Sequence, residues 1–146
     1  MIPLNIPFSI ALTKAYHAQT DLLRPNAAKL GLSIGQPKLL LYLRRHDGCM
    51  QKELAKFCGI EPATVSRILA KMERQGLIRR EAVADNKRAT AVYLTELGME
   101  LGRQVLEFRT QAEEAGLRGF STEERDAFYD YLIRFHANLT VEEDHQ

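Results

Sequence analysis

The sequence predicts a mainly α-helical chain carrying one small β-wing, and three observations predict it. Apolar residues recur at helical spacing along most of the 146 residues. A short helical stretch, a glycine turn and a proline-started helix follow one another at 51–75. Two β-prone runs then flank one polar turn, the pattern of a hairpin.

The spacing predicts a first helix over 8–30, with Phe8, Leu12, Ala15, Tyr16, Gln19 and Leu22 or Leu23 in register. Pro25 falls in its final third and predicts a kink or an early stop. After "LGLS", Ser33 is the expected N-cap of a helix over 34–46 that buries Leu39, Leu40, Tyr42 and Leu43. "QKELAKFC" (51–58) reads as a short helix with Leu54, Ala55 and Cys58 inward. "GI" is a tight turn, Pro62 opens the next helix, and Gly76 ends it. "LIRREAV" (77–83) and "ATAVYL" (89–94) flank "ADNKR" as the hairpin. Thr95 caps a helix over 96–117 with Leu97, Leu101, Val105 and Phe108 on one face, and Ser121 with Glu124 forms a capping box for a last helix ending near Leu139.

The central helix–helix–turn–helix–hairpin order is a winged helix-turn-helix pattern. In such motifs the second helix lies in the major groove and reads bases from its N-terminal half. On that helix Val65, Ile68, Leu69 and Met72 form an inward stripe, while Ala63, Arg67, Ala70 and Arg74 lie opposite. Small side chains let a backbone approach bases, Ala63 suits a thymine methyl, and Arg67 suits a bidentate guanine contact. Thr64 and Ser66 stand on the shoulders of this face, and Gln51, Lys52 and Lys56 suit phosphates. Lys87 and Arg88 make a basic wing tip of the kind that enters a minor groove. Arg79 and Arg80 alternate faces, so only one is expected to point at DNA. The alternative is a winged-helix protein-docking module without specific DNA binding.

Charge supports the first reading. Residues 1–50 carry net +4, residues 51–94 net +4 and residues 95–146 net −7, which sum to +1. The front two-thirds suits a polyanion. No run of about 18 apolar residues spans a membrane, and "MIPLNIPFSI" lacks the basic start of a secretory leader. Cys49 and Cys58 are expected reduced, in the cytoplasm. His17, His46, His136 and His145 show no metal-ligand spacing. No phosphate loop or nucleophile–base pair is present, so neither enzymatic activity nor a cofactor is expected.

"QKELAKFCGIEPATVSRILAKMERQGLIRRE" followed by "DNKRATAVYLTELG" resembles the MarR (multiple antibiotic resistance regulator) family of transcriptional regulators. "GLSIGQPKLLLYL" and "FSTEERDAFYDYLIRFHANL" resemble the family's second and last helices, so the likeness spans about 8–140. It implies a triangular homodimer with an N-terminal arm and dimerisation helix over 1–33, a winged region over 34–95 and dimerisation helices over 96–146. Two recognition helices would then meet successive major grooves of a pseudopalindrome, with the acidic tail away from DNA. The residues it marks for double-stranded DNA are Gln51, Lys52, Pro62, Ala63, Thr64, Ser66, Arg67, Lys71, Asn86, Lys87 and Arg88. It also implies repression relieved by a small aromatic or lipophilic effector, in a cleft near Tyr16, His17, Tyr42 and Leu43 and residues of the 96–117 helix.

Two positions depart from the family pattern. The wing acid, Asp85, stands one residue early, so the wing geometry is expected to differ. Met50 replaces the usual hydroxyl cap of the 51–58 helix, an expected loss of about 1 kcal/mol. No cysteine lies in the first helix, where the family's peroxide sensors carry theirs, and Cys58 is expected to be inert packing.

Overall fold

The computed structural model describes residues 5–140, with the side chains of Lys87 and Arg88 outside that description. His145 also lies outside it. Six helices and three strands run in the order α1 (Phe8–Lys29), α2 (Gln36–Arg45), β1 (Cys49–Met50), α3 (Gln51–Cys58), α4 (Pro62–Arg74), β2 (Ile78–Val83), β3 (Asn86–Leu94), α5 (Glu96–Gly116) and α6 (Thr122–Leu139). The chain forms two compact units, residues 1–112 and 113–146.

In the first unit, α2, α3, α4, α5 and the sheet enclose one core. Leu39, Leu40, Leu43, Leu54, Val65, Leu69, Met72, Val92 and Val105 are fully buried there. Each such side chain stabilises the fold by about 1.5–3 kcal/mol relative to exposure. Leu97, expected on the buried face of α5, is exposed, and the helix presents Gly98, Gly102 and Val105 inward instead. The reason is a close approach: a Cβ at Gly98 would collide with the Leu77 carbonyl, and one at Gly102 would lie 3.1 Å from Arg44 Cδ.

The helix boundaries follow local chemistry, with two corrections. α1 runs through Pro25 to Lys29, so the early stop does not occur. Pro25 is exposed, so the carbonyl it leaves unbonded faces outward, while Leu23 and Ala27 anchor the helix from the other side. Ser33 does not cap α2; the N-cap is Gly35, in the left-handed region, and Ser33 bonds Gln36 and Lys71 instead. α4 ends as expected: Gly76 N–H donates to Glu73 O and Leu77 N–H to Met72 O, with Gly76 at φ 76°. Thr95 Oγ1 accepts from Gly98 N–H and donates to Gly76 O at 2.6 Å, tying the end of α4 to the start of α5.

The sheet differs most from expectation. Its turn is short, Ala84–Asp85, and β3 already begins at Asn86, so Lys87 and Arg88 belong to a strand. The ladder is regular from Ile78↔Leu94 to Ala82↔Thr90, then slips so that Val83 faces Asn86. That irregularity absorbs the extra residues of "DNKRA". A third strand, β1, pairs Cys49 with Val92 and Met50 with Ala91, giving the order β1-β3-β2. Met50 indeed makes no side-chain cap, but its backbone is held in the sheet, which fixes the start of α3 by another route.

In the second unit α6 opens with the full capping box, Glu124 N–H to Ser121 Oγ and Ser121 N–H to Glu124 Oε1. No residue of α6 is buried; Phe128, Tyr131, Leu132, Ile133 and Phe135 stand exposed.

Gly98→Ala is expected to destabilise the chain by about 1–3 kcal/mol through overpacking. Gly116→Ala, with nothing within 4 Å of the added methyl, is expected to be neutral or slightly stabilising. Urea unfolding of both at one protein concentration checks the pair.

Candidate nucleic-acid interface

α4 has three distinct faces. Val65, Leu69 and Met72 are fully buried. Ala63, Arg67 and Arg74 are exposed, as the outward stripe requires, and Ala70 is half-buried. Arg67 donates from its guanidinium to Thr64 Oγ1 at 3.3 Å, which steadies it over the first turns of the helix. Thr64 and Ser66 are half-buried, and Thr64 turns toward α1 and α2 rather than toward the wing. Lys71 lies on that same side, donating to Ser33 Oγ at 3.0 Å.

Neither α3 nor α4 has a side-chain cap at its N-terminus. Both helix starts border a concavity of about 540 Å³ lined by Gln51, Lys52, Pro62, Asn86, Ala89 and Thr90. Free first-turn N–H groups, the positive ends of two helix dipoles and one lysine suit an anion such as a backbone phosphate. Four of the expected residues, Gln51, Lys52, Pro62 and Asn86, therefore meet in one groove. Thr90 escaped the sequence reading, although its period-two spacing from Arg88 was a usable signal.

The strand arginines are both engaged. Arg80 donates its backbone N–H and guanidinium to the Glu73 carboxylate on α4 at 3.3 and 3.4 Å. Arg79 pairs with Glu81 and stacks on Tyr93, 4.4 Å from the ring centre.

A second cavity, about 710 Å³, lies on the Thr64 side of α4. Its walls are largely apolar, with Leu23, Ala27, Leu32, Ile60, Ile68 and Phe108, and it carries Tyr16, Arg24, Lys38 and Arg109. Arg109 Nε is buried without a hydrogen-bond partner among the described residues, and burial pushes the guanidinium pKa down. Of the four residues expected around an effector, Tyr16 lines this cavity and His17, Tyr42 and Leu43 do not. Leu43 is fully buried in the core. Tyr42 stacks on His46 and meets Phe57 at a tilt, each ring centre 4.3 Å away, and burial raises its phenol pKa. His17 is exposed on α1. The 96–117 helix does contribute, through Phe108 and Arg109; Arg109 was not named individually, although its position four after Val105 sets an arginine on the apolar face of α5.

Both cysteines are half-buried thiols. Burial, then the nearby Glu53 carboxylate, pushes Cys49 up to about 11; burial likewise raises Cys58. A raised thiol pKa keeps the sulfur protonated and slow to react until pH approaches that value.

The MarR family pattern matches residues 32–90. The HTH-type transcriptional repressor NicR of Pseudomonas putida is 27% identical over 136 residues, covering 89% of this chain and 85% of NicR. The solved structure of the transcriptional regulator PA3341 is 34% identical, with TM-score 0.81, covering 91% of this chain and 98% of that one. The MepR–DNA complex of S. aureus shares the fold, with TM-score 0.85 at 23% identity over 93% of this chain and 100% of MepR.

Iodoacetamide is expected to alkylate Cys49 at pH 8 roughly 100-fold more slowly than a free thiol, since thiolate is the reactive form. Peptide mapping along a pH series checks this; rapid labelling at pH 8 would contradict the half-buried, acid-flanked geometry.

Proposed function

The chain belongs to the MarR family of winged helix-turn-helix transcriptional regulators, and we propose that it is a dimeric repressor whose α4 reads a pseudopalindromic operator. The observation that carries this is the groove at the starts of α3 and α4, flanked by the outward arginine face of α4. Gln51, Lys52, Asn86 and the helix N-termini hold phosphates and set register, with Pro62 opening α4 at the edge of the groove. Ala63, Ser66 and Arg67 face bases in the major groove, with Thr64 bracing Arg67. Lys71, expected at the DNA, is instead held by Ser33 on the side of α1 and α2, while Lys87 and Arg88, from β3, reach the adjacent minor groove. Two helix N-termini and Lys52 in this groove, beside the exposed Arg67 and Arg74, favour DNA over a docked protein. The MepR–DNA complex, which shares the fold, supports this docking, and the repressor name of NicR supports the direction of regulation.

The exposed apolar residues of α1, Phe8, Ile10, Leu12 and Leu22, and those of α6 bury against a second copy. Such faces are the composition of an obligate dimer interface. No described helix is long and apolar enough to cross a membrane, and the protein works in the cytoplasm beside its DNA.

Repression is relieved by a small apolar or aromatic molecule carrying an anionic group. The second cavity supplies the apolar walls, and the half-buried Arg109, whose buried Nε has no partner among the described residues, supplies the counter-charge with Arg24 and Lys38. An arginine does not shed its proton in a protein, so its burial is compensated when an anion binds. Thr64 and Ile68 bring the reading helix into that cavity wall.

Purified protein titrated against its own upstream DNA and a scrambled duplex, across a salt series, tests the main reading. Tight binding to the upstream DNA alone is expected, with log affinity falling by roughly 0.9 per phosphate contact per log unit of salt. The footprint should show two half-sites about 10 base pairs apart. Arg67→Ala should cost about 1–3 kcal/mol on the operator and relax base preference. Equal weak binding to both duplexes would sink the reading.

Millimolar benzoate is expected to weaken operator binding, and Arg109→Met to bring the ratio of Kd with and without benzoate toward one. A ratio unchanged by Arg109→Met would remove the cavity assignment.

A further inference from the structure

Gln36 is the one buried polar side chain among the described residues, with no exposed surface. A buried amide is costly unless bonded, and this one is bonded on both ends. Its Oε1 accepts from Ser33 N–H at 3.2 Å, and its Nε2 donates to Gln75 Oε1 at 2.9 Å. Gln75 Nε2 in turn donates to Gly31 O at 3.1 Å. The bonds thus run from the last turn of α4 through α2 to the 31–35 turn that ends α1. The same turn receives Lys71 Nζ on Ser33 Oγ at 3.0 Å. It also packs tightly on Ile68: a Cβ at Gly35 would lie 2.8 Å from Ile68 Cδ1, and Gly35 stands at φ 91°.

Ile68, Lys71 and Gln75 are spaced i, i+3, i+7, so one stripe of α4 is given wholly to the 31–36 segment. The core stripe, Val65, Leu69 and Met72, is apolar and fixes depth, but apolar contact is non-directional. Directional hydrogen bonds are needed to stop the helix rolling or sliding on that seat. We propose that Gln36 and Gln75 form a latch that fixes the rotation of α4, making both positioning residues for base discrimination. Neither touches DNA; each acts through the orientation of Ala63, Ser66 and Arg67. The proposal rests on α4 being the reading helix. Ser33 and Gly35 also line the effector cavity, so the latch is anchored in the wall an effector would press.

The test is a cycle of Gln36→Met, Gln75→Met and the double variant, near-isosteric changes that delete the bonds. Each single variant is expected to lose about tenfold in the ratio of operator to scrambled-duplex affinity, and the double variant no more, because one unit is being broken. Amide hydrogen exchange over 64–76 should quicken in all three, while dimer content and far-ultraviolet circular dichroism stay as in the parent. Gln75→Met, at the half-buried end, keeps the test open if Gln36→Met fails to fold. Additive losses, equal losses on both duplexes, or unchanged discrimination despite faster exchange would each overturn the latch. Arg67→Ala run in parallel separates the two failures: if it too leaves discrimination intact, α4 is not the reader, and that reading falls as well.

Discussion

The proposed function depends on how α4 is seated. Val65, Leu69 and Met72 are excluded from solvent, and together they contribute several kcal/mol of burial, on the order of 1.5–3 kcal/mol each. Once that stripe is inward, the helical repeat sets the side on which each other residue stands: Ala63, Arg67 and Arg74 on the exposed side, and Thr64, Ile68, Lys71 and Gln75 on the side of α1 and α2. The same seating brings the end of α4 to Thr95, whose hydroxyl joins Gly76 and Gly98. The absence of side chains at Gly98 and Gly102 then lets α5 close over the core.

The three faces divide three tasks along one short helix. One face holds the helix in place, one is exposed and carries Ala63, Arg67 and Arg74, and one forms the wall of an apolar cavity. In the proposed function, coupling between ligand and DNA needs no long chain of contacts, because Thr64 bonds Arg67 on the exposed face while lining the cavity. An effector only has to favour one rotation of α4 over another to change affinity, and the free energy it can supply is its difference in affinity for the two.

The wing shows how a local departure is absorbed. The residues "ADNKR" form a two-residue turn with a slipped pairing rather than a five-residue loop. β1 gives β3 a partner on its other edge, so the strand that carries Lys87 and Arg88 is paired on both sides over Ala91 and Val92. The uncapped start of α3 is tolerated for the same reason: Met50 is held by main-chain pairing, and the open N–H groups that a serine would have covered remain free to meet an anion.

The sequence by itself determined the helix order, the glycine stop at Gly76, the capping box at Ser121 and Glu124, and the inward stripe of α4. These are local: each depends on residues within a turn or two of one another, so spacing and propensity read them directly. The outward arginine face followed, as the complement of the stripe. Only the tertiary structure decided the two-residue strand β1, which exists because β3 offers an edge to Cys49 and Met50, and the change of Ser33 from an expected cap to a partner of Lys71. It also decided which polar groups share a cavity. Tyr16, Lys38 and Arg109 come from three separate elements, and Gln36 meets Gln75 across 39 positions of sequence. No periodicity within one helix carries the relation between two, because that relation is set by how their buried faces pack.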